Sequence, residues 1–373
     1  MDFHLYEKKP CLSEWIEENK VKRWSGIIAE YKEFLPINQN TPIITLQEGN
    51  TPLIEACNIS EKLLNNKIKV YLKLEGCNPT GSFKDRGMTL AISKAKESDA
   101  KVVICASTGN TSASAAAYSA RAGLACVVLI PNGAIALGKL AQALIHGAKV
   151  IAIEGSFDDA LKMVQLLASQ YPITIVNSSN IFRIEGQKTA AYEIVDALGT
   201  APDYHFIPVG NAGNITAYWK GYMDYFNLKQ CSSLPKMCGF QAAQSAPIVE
   251  KKIIEHPETI ATAIKIGNPF SWKSAEHARD ASGGIIESVT DEEILYAYEM
   301  LAQLEGVFCE PASAASVAGV IKKNKENYFR SECNVVCTLT GQGLKDPDRA
   351  VMRVSKPIVL KPELNSIIKV LNL

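Results

Sequence analysis

The stretch that decides the fold is KVVICASTGNTS, residues 101–112, in which an apolar run passes through a polar turn into an alanine-rich helical segment. A continuous β-branched run followed at once by a helix is typical of a parallel strand that is covered on both faces. Similar runs at 126–130, 149–153 and 173–176 also precede helical segments. With right-handed crossovers, this alternation predicts a doubly wound α/β sheet.

Two further polar turns follow predicted strands. The turn GNAGN, residues 210–214, comes after the strand 205–209 and opens a helix, and the run CTLTGQG, residues 337–343, ends the strand 334–339. Strand-to-helix turns present unpaired N–H groups and the positive end of a helix dipole, so they are suited to anions. Because ligands of open α/β sheets bind beyond the carboxyl ends of the strands, we expect these turns to share one site.

Lys84 lies in the run NPTGSFKDRG, residues 78–87, after a predicted strand at 69–75. Ser82 followed three residues later by Asp85 predicts an N-cap, with the helix beginning at Phe83. An ammonium there faces the positive end of the helix dipole, at a cost of roughly 0.3 to 1 kcal/mol. A neutral amine avoids this cost and is the form that an imine-forming lysine needs. From this segment alone, a solvated lysine beside a helix cap remains an alternative.

A second candidate anion site is the segment NSSNIFRIEGQ, residues 177–187, which follows a predicted strand. It offers hydroxyls, amides and the guanidinium of Arg183, whose planar donor fork suits phosphate. A simple turn with a surface arginine is an equally open interpretation of this segment.

The bulk composition favours a metabolic enzyme. The chain has 373 residues, 47% of them hydrophobic, which indicates two closely associated domains. Lys plus Arg and Asp plus Glu balance at 39 each, so neither nucleic acid nor a membrane surface is expected as a partner. No apolar run reaches ~18 residues and no signal-like segment opens the chain, which predicts a cytoplasmic protein. Ten scattered cysteines without a Cys-x-x-Cys pair predict reduced thiols and no metal site.

In the order and spacing of these motifs, residues 23–349 resemble the threonine synthase family, which belongs to the fold-type II pyridoxal-phosphate enzymes. The segments TLQEGNTPL, residues 45–53, and EPASAA, residues 310–315, are also similar to family segments. The resemblance implies a tryptophan synthase β-like fold of two doubly wound, mostly parallel sheets. A smaller domain, 76–175, would be inserted in a larger one formed by 1–75 and 176–373, with the active site in the cleft. Residues 1–20 have no counterpart.

The resemblance also implies the cofactor, pyridoxal 5'-phosphate, and its contacts. Lys84 would be the catalytic Schiff-base lysine, Asn110 would meet the phenolic oxygen, and the Thr340 hydroxyl would donate to an unprotonated pyridine nitrogen. The implied cofactor-phosphate residues are Gly210, Asn211, Ala212, Gly213 and Asn214. The implied substrate residues are Ser178 and Arg183 for a phosphate, with Thr111 and Asn211 nearby, and Ser107, Asn110 and Thr111 for a carboxylate.

The implied reaction is that of a lyase acting on O-phospho-L-homoserine. Phosphate would leave by γ-elimination and water would add at Cβ, giving L-threonine, with the departing phosphate available as the base. The family also suggests a homodimer. Two alternatives remain: a threonine or serine dehydratase of the same fold, and a homologue that binds the cofactor without turnover.

Overall fold

The computed structural model describes residues 23–64, 68–132, 137–353, 357–360 and 362–371. The strands are β1 Leu53–Glu55, β2 Ile68–Leu74, β3 Val102–Ala106, β4 Ala125–Pro131, β5 Lys149–Ile153, β6 Ile173–Ile175, β7 Tyr204–Pro208, β8 Lys236–Ala242, β9 Ile285–Val289 and β10 Cys333–Leu339. The helices up to the middle of the chain are α1 Ile27–Glu30, α2 Cys57–Leu64, α3 Lys84–Glu97, α4 Asn110–Ala122, α5 Leu137–Ile145, α6 Phe157–Gln170, α7 Ile181–Gln187 and α8 Thr189–Leu198. The later helices are α9 Gly213–Asn227, α10 Pro247–Glu250, α11 Trp272–Ser282, α12 Asp291–Glu305, α13 Pro311–Lys325, α14 Pro347–Arg353 and α15 Leu364–Leu371.

The strands form two sheets. The larger has the order β1-β2-β10-β7-β8-β9, in which only the β1–β2 pair is antiparallel, and the smaller has the order β5-β4-β3-β6, with all pairs parallel. The prediction of an α/β fold with two mostly parallel sheets is therefore confirmed. The predicted strands agree with the observed ones to within one residue at each end.

The chain passes between the two sheets twice. It leaves the larger sheet after β2, completes the smaller sheet with β3 to β6, and returns to the larger sheet at β7. The domain division into 76–175 and the two flanking segments stays a prediction. The stretch 1–20 lies outside the described residues.

Helix α3 lies between the two sheets and positions the candidate site. Its Met88 and Ala91 pack with Val103 in the core of the smaller sheet, whereas Leu90 packs with Ile207 in a core beside the larger sheet. Both faces of the helix are therefore buried, which fixes where its first residue lies.

The start of α3 differs from the prediction. The N-cap position belongs to Phe83, not to Ser82, and the helix begins one residue later, at Lys84. Ser82 forms an isolated β-bridge with Gly341, and its hydroxyl accepts only a long hydrogen bond from the Lys84 N–H, at 3.4 Å. Asp85 does not support the cap either, because its carboxylate accepts hydrogen bonds from the N–H and hydroxyl of Thr80 and from a neighbouring serine hydroxyl. The pairing to Gly341 and these bonds to Asp85 outweigh the local capping preference.

In the described part of the chain, no helix combines the length and apolar character that a membrane span needs. No group of three His, Cys, Asp or Glu side chains among the same residues could hold a metal ion.

Candidate active site

Lys84 lies beside the carboxyl end of β10. The Phe83 N–H donates to the carbonyl oxygen of Thr340 at 3.0 Å, and the Gln342 N–H donates to that of Gly81 at 2.9 Å. Gly81 has a φ of +85°, a left-handed conformation that a residue with a Cβ rarely adopts. The turn before α3 is thus fastened to the strand end, and Lys84 and Thr340 share one edge of the larger sheet.

Two glycines bring α7 into backbone contact with α3. A Cβ added at Gly186 would lie 2.0 Å from the carbonyl oxygen of Arg86, and one added at Gly87 would lie 2.8 Å from that of Arg183. Neither position leaves room for a side chain. This close approach holds Arg183 against the first turn of α3, the turn that Lys84 opens.

Arg183 is a buried cation without a carboxylate partner among the described residues. Its residue surface is 3% exposed. Its Nη1 donates to the carbonyl oxygen of Val176 at 3.2 Å, and its Nε has no hydrogen-bond partner. Burial lowers the pKa of Arg183 to about 10. A buried charge left unpaired destabilises a protein, so this guanidinium is well placed to receive an anionic ligand.

The Lys84 amine has a strongly lowered pKa, about 7. Burial is the main cause, the positive charge of Arg183 acts in the same direction, and Glu310 opposes both. The sequence pointed to the helix dipole, whereas burial and the charge of Arg183 are the causes seen in the structure. Since free lysine titrates at ~10.4, a much larger fraction of this amine is neutral at neutral pH.

Asn110 and Thr340 meet at the carboxylate of Glu310. Asn110 Nδ2 donates to its two oxygens at 3.1 and 3.3 Å, and Thr340 Oγ1 donates to Oε1 at 3.2 Å. Glu310 lies at the N-cap position of α13 and is 4% exposed. The sequence prediction did not include this residue. Its position directly before a helix, within the segment 310–315 that resembles the family, is the signal that could have revealed it.

The turn 210–214 is held by a residue in the left-handed conformation and by two hydrogen bonds of a side chain. Ala212 has a φ of +62° at the N-cap position of α9, and the Asn211 side chain bonds Ser178 Oγ at 3.2 Å and the Phe270 N–H at 3.1 Å. Asn214 is 7% exposed, yet neither its Nδ2 nor its Oδ1 has a partner. Buried amide groups are normally satisfied, so Asn214 has bonds available for a ligand.

The remaining predicted residues lie on the neighbouring turns. Ser107 accepts a hydrogen bond from the Gly109 N–H at 3.2 Å, and Thr111 lies in the first turn of α4. Ser178 contacts Asn211, which joins the predicted substrate segment to the turn 210–214. The roles of all these residues stay predictions.

A cavity of about 730 Å³ borders the site. Asn110 and Gly341 line it together with Gln142, Phe308 and Lys345. Its volume is in the range of sites for small molecules.

A model of the family described as pyridoxal-phosphate dependent enzyme matches residues 44–341, and the chain belongs to this family. The prediction of a pyridoxal phosphate cofactor is confirmed at this level.

Close relatives define the branch of the family. The threonine synthase of Synechocystis sp. is 58% identical over 93% of this chain and 91% of its own length. The threonine synthase of Methanocaldococcus jannaschii is 50% identical over 98% of this chain and 92% of its own length. Within the pyridoxal-phosphate-dependent enzymes, the chain therefore belongs with the threonine synthases.

Solved structures support the same fold at low identity. Threonine deaminase isoform 2 from Solanum lycopersicum, in its processed form, has a TM-score of 0.70 and 20% identity, covering 94% of this chain and 90% of that one. Cysteine synthase from Entamoeba histolytica has a TM-score of 0.71 and 16% identity, covering 87% and 94%.

Proposed function

We propose that the protein converts O-phospho-L-homoserine and water into L-threonine and inorganic phosphate, with pyridoxal 5'-phosphate attached to Lys84. The observation that carries this proposal is Arg183, a buried guanidinium without a carboxylate partner among the described residues, held beside the lowered-pKa amine of Lys84. A substrate that brings its own phosphate supplies the missing anion.

The residues present fit the cofactor. The amine of Lys84 has a pKa of about 7, as a lysine that bonds a carbonyl compound requires. The turn 210–214 opens α9 and offers backbone N–H groups to a phosphate, together with the unpartnered amide of Asn214. Asn110 and Thr340 supply polar atoms for the ring. We place the site between the segment 76–175 and the rest of the chain.

Arg183 and Ser178 would bind the substrate phosphate. The guanidinium supplies charge and a planar donor fork, and Ser178 lies on the preceding turn, where Asn211 holds its hydroxyl. Ser107, Asn110 and Thr111 would bind the carboxylate at the N-terminus of α4, where the helix dipole favours an anion. Binding both ends of the substrate would fix the carbon chain between them.

Lys84 would move the protons. Pyridoxal phosphate, when bound, supplies an electron sink for negative charge at the substrate Cα. The neutral Nζ of Lys84 is able to accept the Cα proton, but an amine holds only one extra proton at a time. Lys84 would therefore pass the Cα proton on to the bound cofactor before accepting one from Cβ, and would return that second proton at Cγ once phosphate has left. Arg183 would hold the released phosphate, so that the phosphate can take a proton from the water that adds at Cβ.

The deciding experiment offers O-phospho-L-homoserine and L-threonine separately to the loaded enzyme. Equal amounts of phosphate and threonine from the first substrate are expected. Formation of 2-oxobutyrate from L-threonine, without turnover of the phosphorylated substrate, would instead identify a dehydratase. Cofactor binding without turnover of either compound would identify a non-catalytic homologue.

We further infer a cytoplasmic homodimer. Nine cysteines are free thiols in the described part of the chain, which suits a reducing compartment. Size-exclusion chromatography with light scattering of the loaded protein tests the dimer.

A further inference from the structure

Glu310 is a buried carboxyl group that bonds the two residues proposed to contact the cofactor ring. Its partners are the Asn110 amide and the Thr340 hydroxyl, and it forms no ion pair with the described residues. Buried carboxylates are usually paired with a cation, as Glu193 is with Lys73 at 2.7 Å in this chain. The placement of Glu310 therefore calls for a role other than charge pairing.

The role of Glu310 follows from the number of hydrogens that the Thr340 hydroxyl can donate. A threonine hydroxyl has one hydrogen to donate. In this structure Thr340 Oγ1 lies 3.2 Å from Glu310 Oε1 and 3.0 Å from Ser313 Oγ. Ser313 already accepts from the Gly341 N–H at 3.0 Å and has the Gly341 carbonyl oxygen at 3.2 Å as an acceptor. The one hydrogen of Thr340 thus serves either the carboxyl group or the ring nitrogen, not both.

We propose that Glu310 is a positioning residue that shares one proton with the cofactor ring nitrogen through the Thr340 hydroxyl. This inference rests on the proposed place of Thr340 at that nitrogen. In one arrangement Glu310 is a neutral acid that donates to Thr340, and Thr340 donates to an unprotonated ring. In the other, the Glu310 proton passes to Thr340 Oγ while the Thr340 hydrogen passes to the ring nitrogen. The number of protons is the same in both arrangements.

The surroundings of Glu310 favour retention of this proton. Burial raises the pKa of Glu310, although bonding from Asn110, the charges of Lys84 and Lys345 and the bond from Thr340 oppose the rise. Cys309 also faces Glu310, and its own burial raises the pKa of that thiol, which therefore stays neutral. If the proton left, one hydroxyl hydrogen would face two acceptors, and an unsatisfied buried group costs about 1 to 3 kcal/mol.

The test is Glu310→Gln, because glutamine keeps the shape and can donate to Thr340 but has no proton to pass on. The holoenzyme is loaded with pyridoxal phosphate labelled with ¹⁵N in the ring, and the ¹⁵N shift is followed against pH. In the unsubstituted protein we expect a signal displaced towards the protonated position that moves to the unprotonated position as pH rises. In Glu310→Gln we expect the unprotonated position throughout. Superimposable titrations of the two proteins would overturn the proposal.

Two further variants separate this proposal from the proposed function. Ser313→Ala removes the other side-chain partner of Thr340 but not the carboxyl group, so its ¹⁵N titration should resemble that of the unsubstituted protein. If the ¹⁵N signal of Ser313→Ala stayed at the unprotonated position, loss of any side-chain partner of Thr340 would be enough to abolish the titration. That result would overturn the role of Glu310. Thr340→Val should abolish the pH dependence of the ¹⁵N shift if the Thr340 hydroxyl contacts the ring nitrogen. An unchanged titration in Thr340→Val would displace Thr340 from the ring and overturn the site assignment as well.

A measurement without the cofactor covers the case in which Glu310→Gln does not load. Infrared difference spectra of the cofactor-free protein at neutral pH should contain the carbonyl band of a protonated carboxylic acid, and this band should be lost in Glu310→Gln. The same band in both proteins would show that Glu310 holds no such proton, and the proposal would be wrong.

Discussion

Two basic side chains with different surroundings lie two residues apart at the start of α3, the half-buried Lys84 and the buried Arg86. Within the described residues Lys84 has no ion-pair partner, whereas Arg86 is paired on both sides. Its Nε and Nη2 donate to Glu75 at 2.7 and 2.8 Å, and its Nη1 and Nη2 donate to Glu193 at 2.6 and 2.7 Å. The two positions share a helix, and they differ in what neutralises the charge.

The pKa values follow this difference. Burial would raise the pKa of Glu193, but Arg86 and Lys73 lower it to about 2, so Glu193 stays ionised at neutral pH. Burial lowers the pKa of Arg183 to about 10 and that of Lys84 to about 7. The paired cations are satisfied within the fold and join β2, α3 and α8. The unpaired cations lack such partners among the described residues, at a cost to the stability of the free protein, and we propose that they bind ligands.

The largest expected effect belongs to the unpaired amine. Lys84→Ala should lower kcat by at least about a thousandfold, because no other group at the site would carry the Cα proton. Borohydride reduction followed by mass spectrometry should find the cofactor on a peptide containing Lys84 and on none in the variant. Lys96→Ala, an exposed position on the same helix, is the control. A cofactor-modified peptide in Lys84→Ala would move the attachment elsewhere.

Removing the cation of the paired network should lower the free energy of unfolding. Arg86→Met leaves Glu75 and Glu193 without their shared cation, and breaking a buried pair typically costs about 3 to 5 kcal/mol. Urea unfolding should show this loss of the free energy of unfolding. The control, Arg279→Met, removes a pair with Asp280 at the surface, where the side chains are 27% and 67% exposed, and should change stability by less than about 1 kcal/mol. Equal losses in the two variants would mean that the buried network contributes no more to stability than a surface pair.

Substitution of Arg183 should affect ligand binding more than stability, the opposite of substitution of Arg86. Arg183→Met leaves no carboxylate unpaired, so the free energy of unfolding without ligand should not fall as it does in Arg86→Met. Binding of the phosphorylated substrate should weaken by about 1.5 to 3 kcal/mol, roughly 10- to 150-fold, through loss of a charge-assisted bond. Calorimetry with O-phospho-L-homoserine and with an amino acid lacking phosphate separates binding of the phosphate group from binding of the rest of the substrate. Equal weakening of both ligands would remove Arg183 from the phosphate site.

Seven strands were predicted from mostly apolar runs bounded by polar turns, whereas β1, β8 and β9 were not predicted. The apolar run that opens the stretch 101–112 was predicted as a strand, and β3 is Val102–Ala106. The cap of α3 was wrong because Ser82 has a partner 259 positions away, Gly341, which local spacing does not reveal. Strand edges of this kind are decided by tertiary pairing, which overrides local capping preference.

The candidate site was predicted in part. The sequence did not reveal which of its charged side chains are buried and which are paired. The segment 177–187 indicated an anion site, but only the approach of Gly87 to Gly186 shows that Arg183 is buried beside Lys84. Whether an arginine is paired depends on which carboxylates fold against it, and Arg86 and Arg183 cannot be told apart by sequence spacing. Glu310 was missed because its bonds to Asn110 and Thr340 join residues 200 and 30 positions away in the sequence.

The smallest expected effect is a change in the pH at which the Lys84 amine loses its proton, because this pH depends on the nearby charge of Arg183. Attachment of pyridoxal phosphate to the cofactor-free protein should accelerate as the Lys84 amine loses its proton, with a midpoint near the pKa of about 7. Removing the neighbouring positive charge in Arg183→Met should move this midpoint upward, while remaining burial keeps it below the ~10.4 of free lysine.

The same lowered pKa of Lys84 makes stability depend on pH. In the unfolded chain the amine keeps its proton up to a pH of about 10.5, so Lys84 should make the folded state more stable as the pH rises from about 7 towards that value. Stopped-flow rates of pyridoxal phosphate attachment, measured below and above the pKa of about 7, give the midpoint, and Arg279→Met serves as the charge-matched control. An unchanged midpoint in Arg183→Met would mean that the guanidinium and the amine do not interact, and that the two unpaired cations do not form one site.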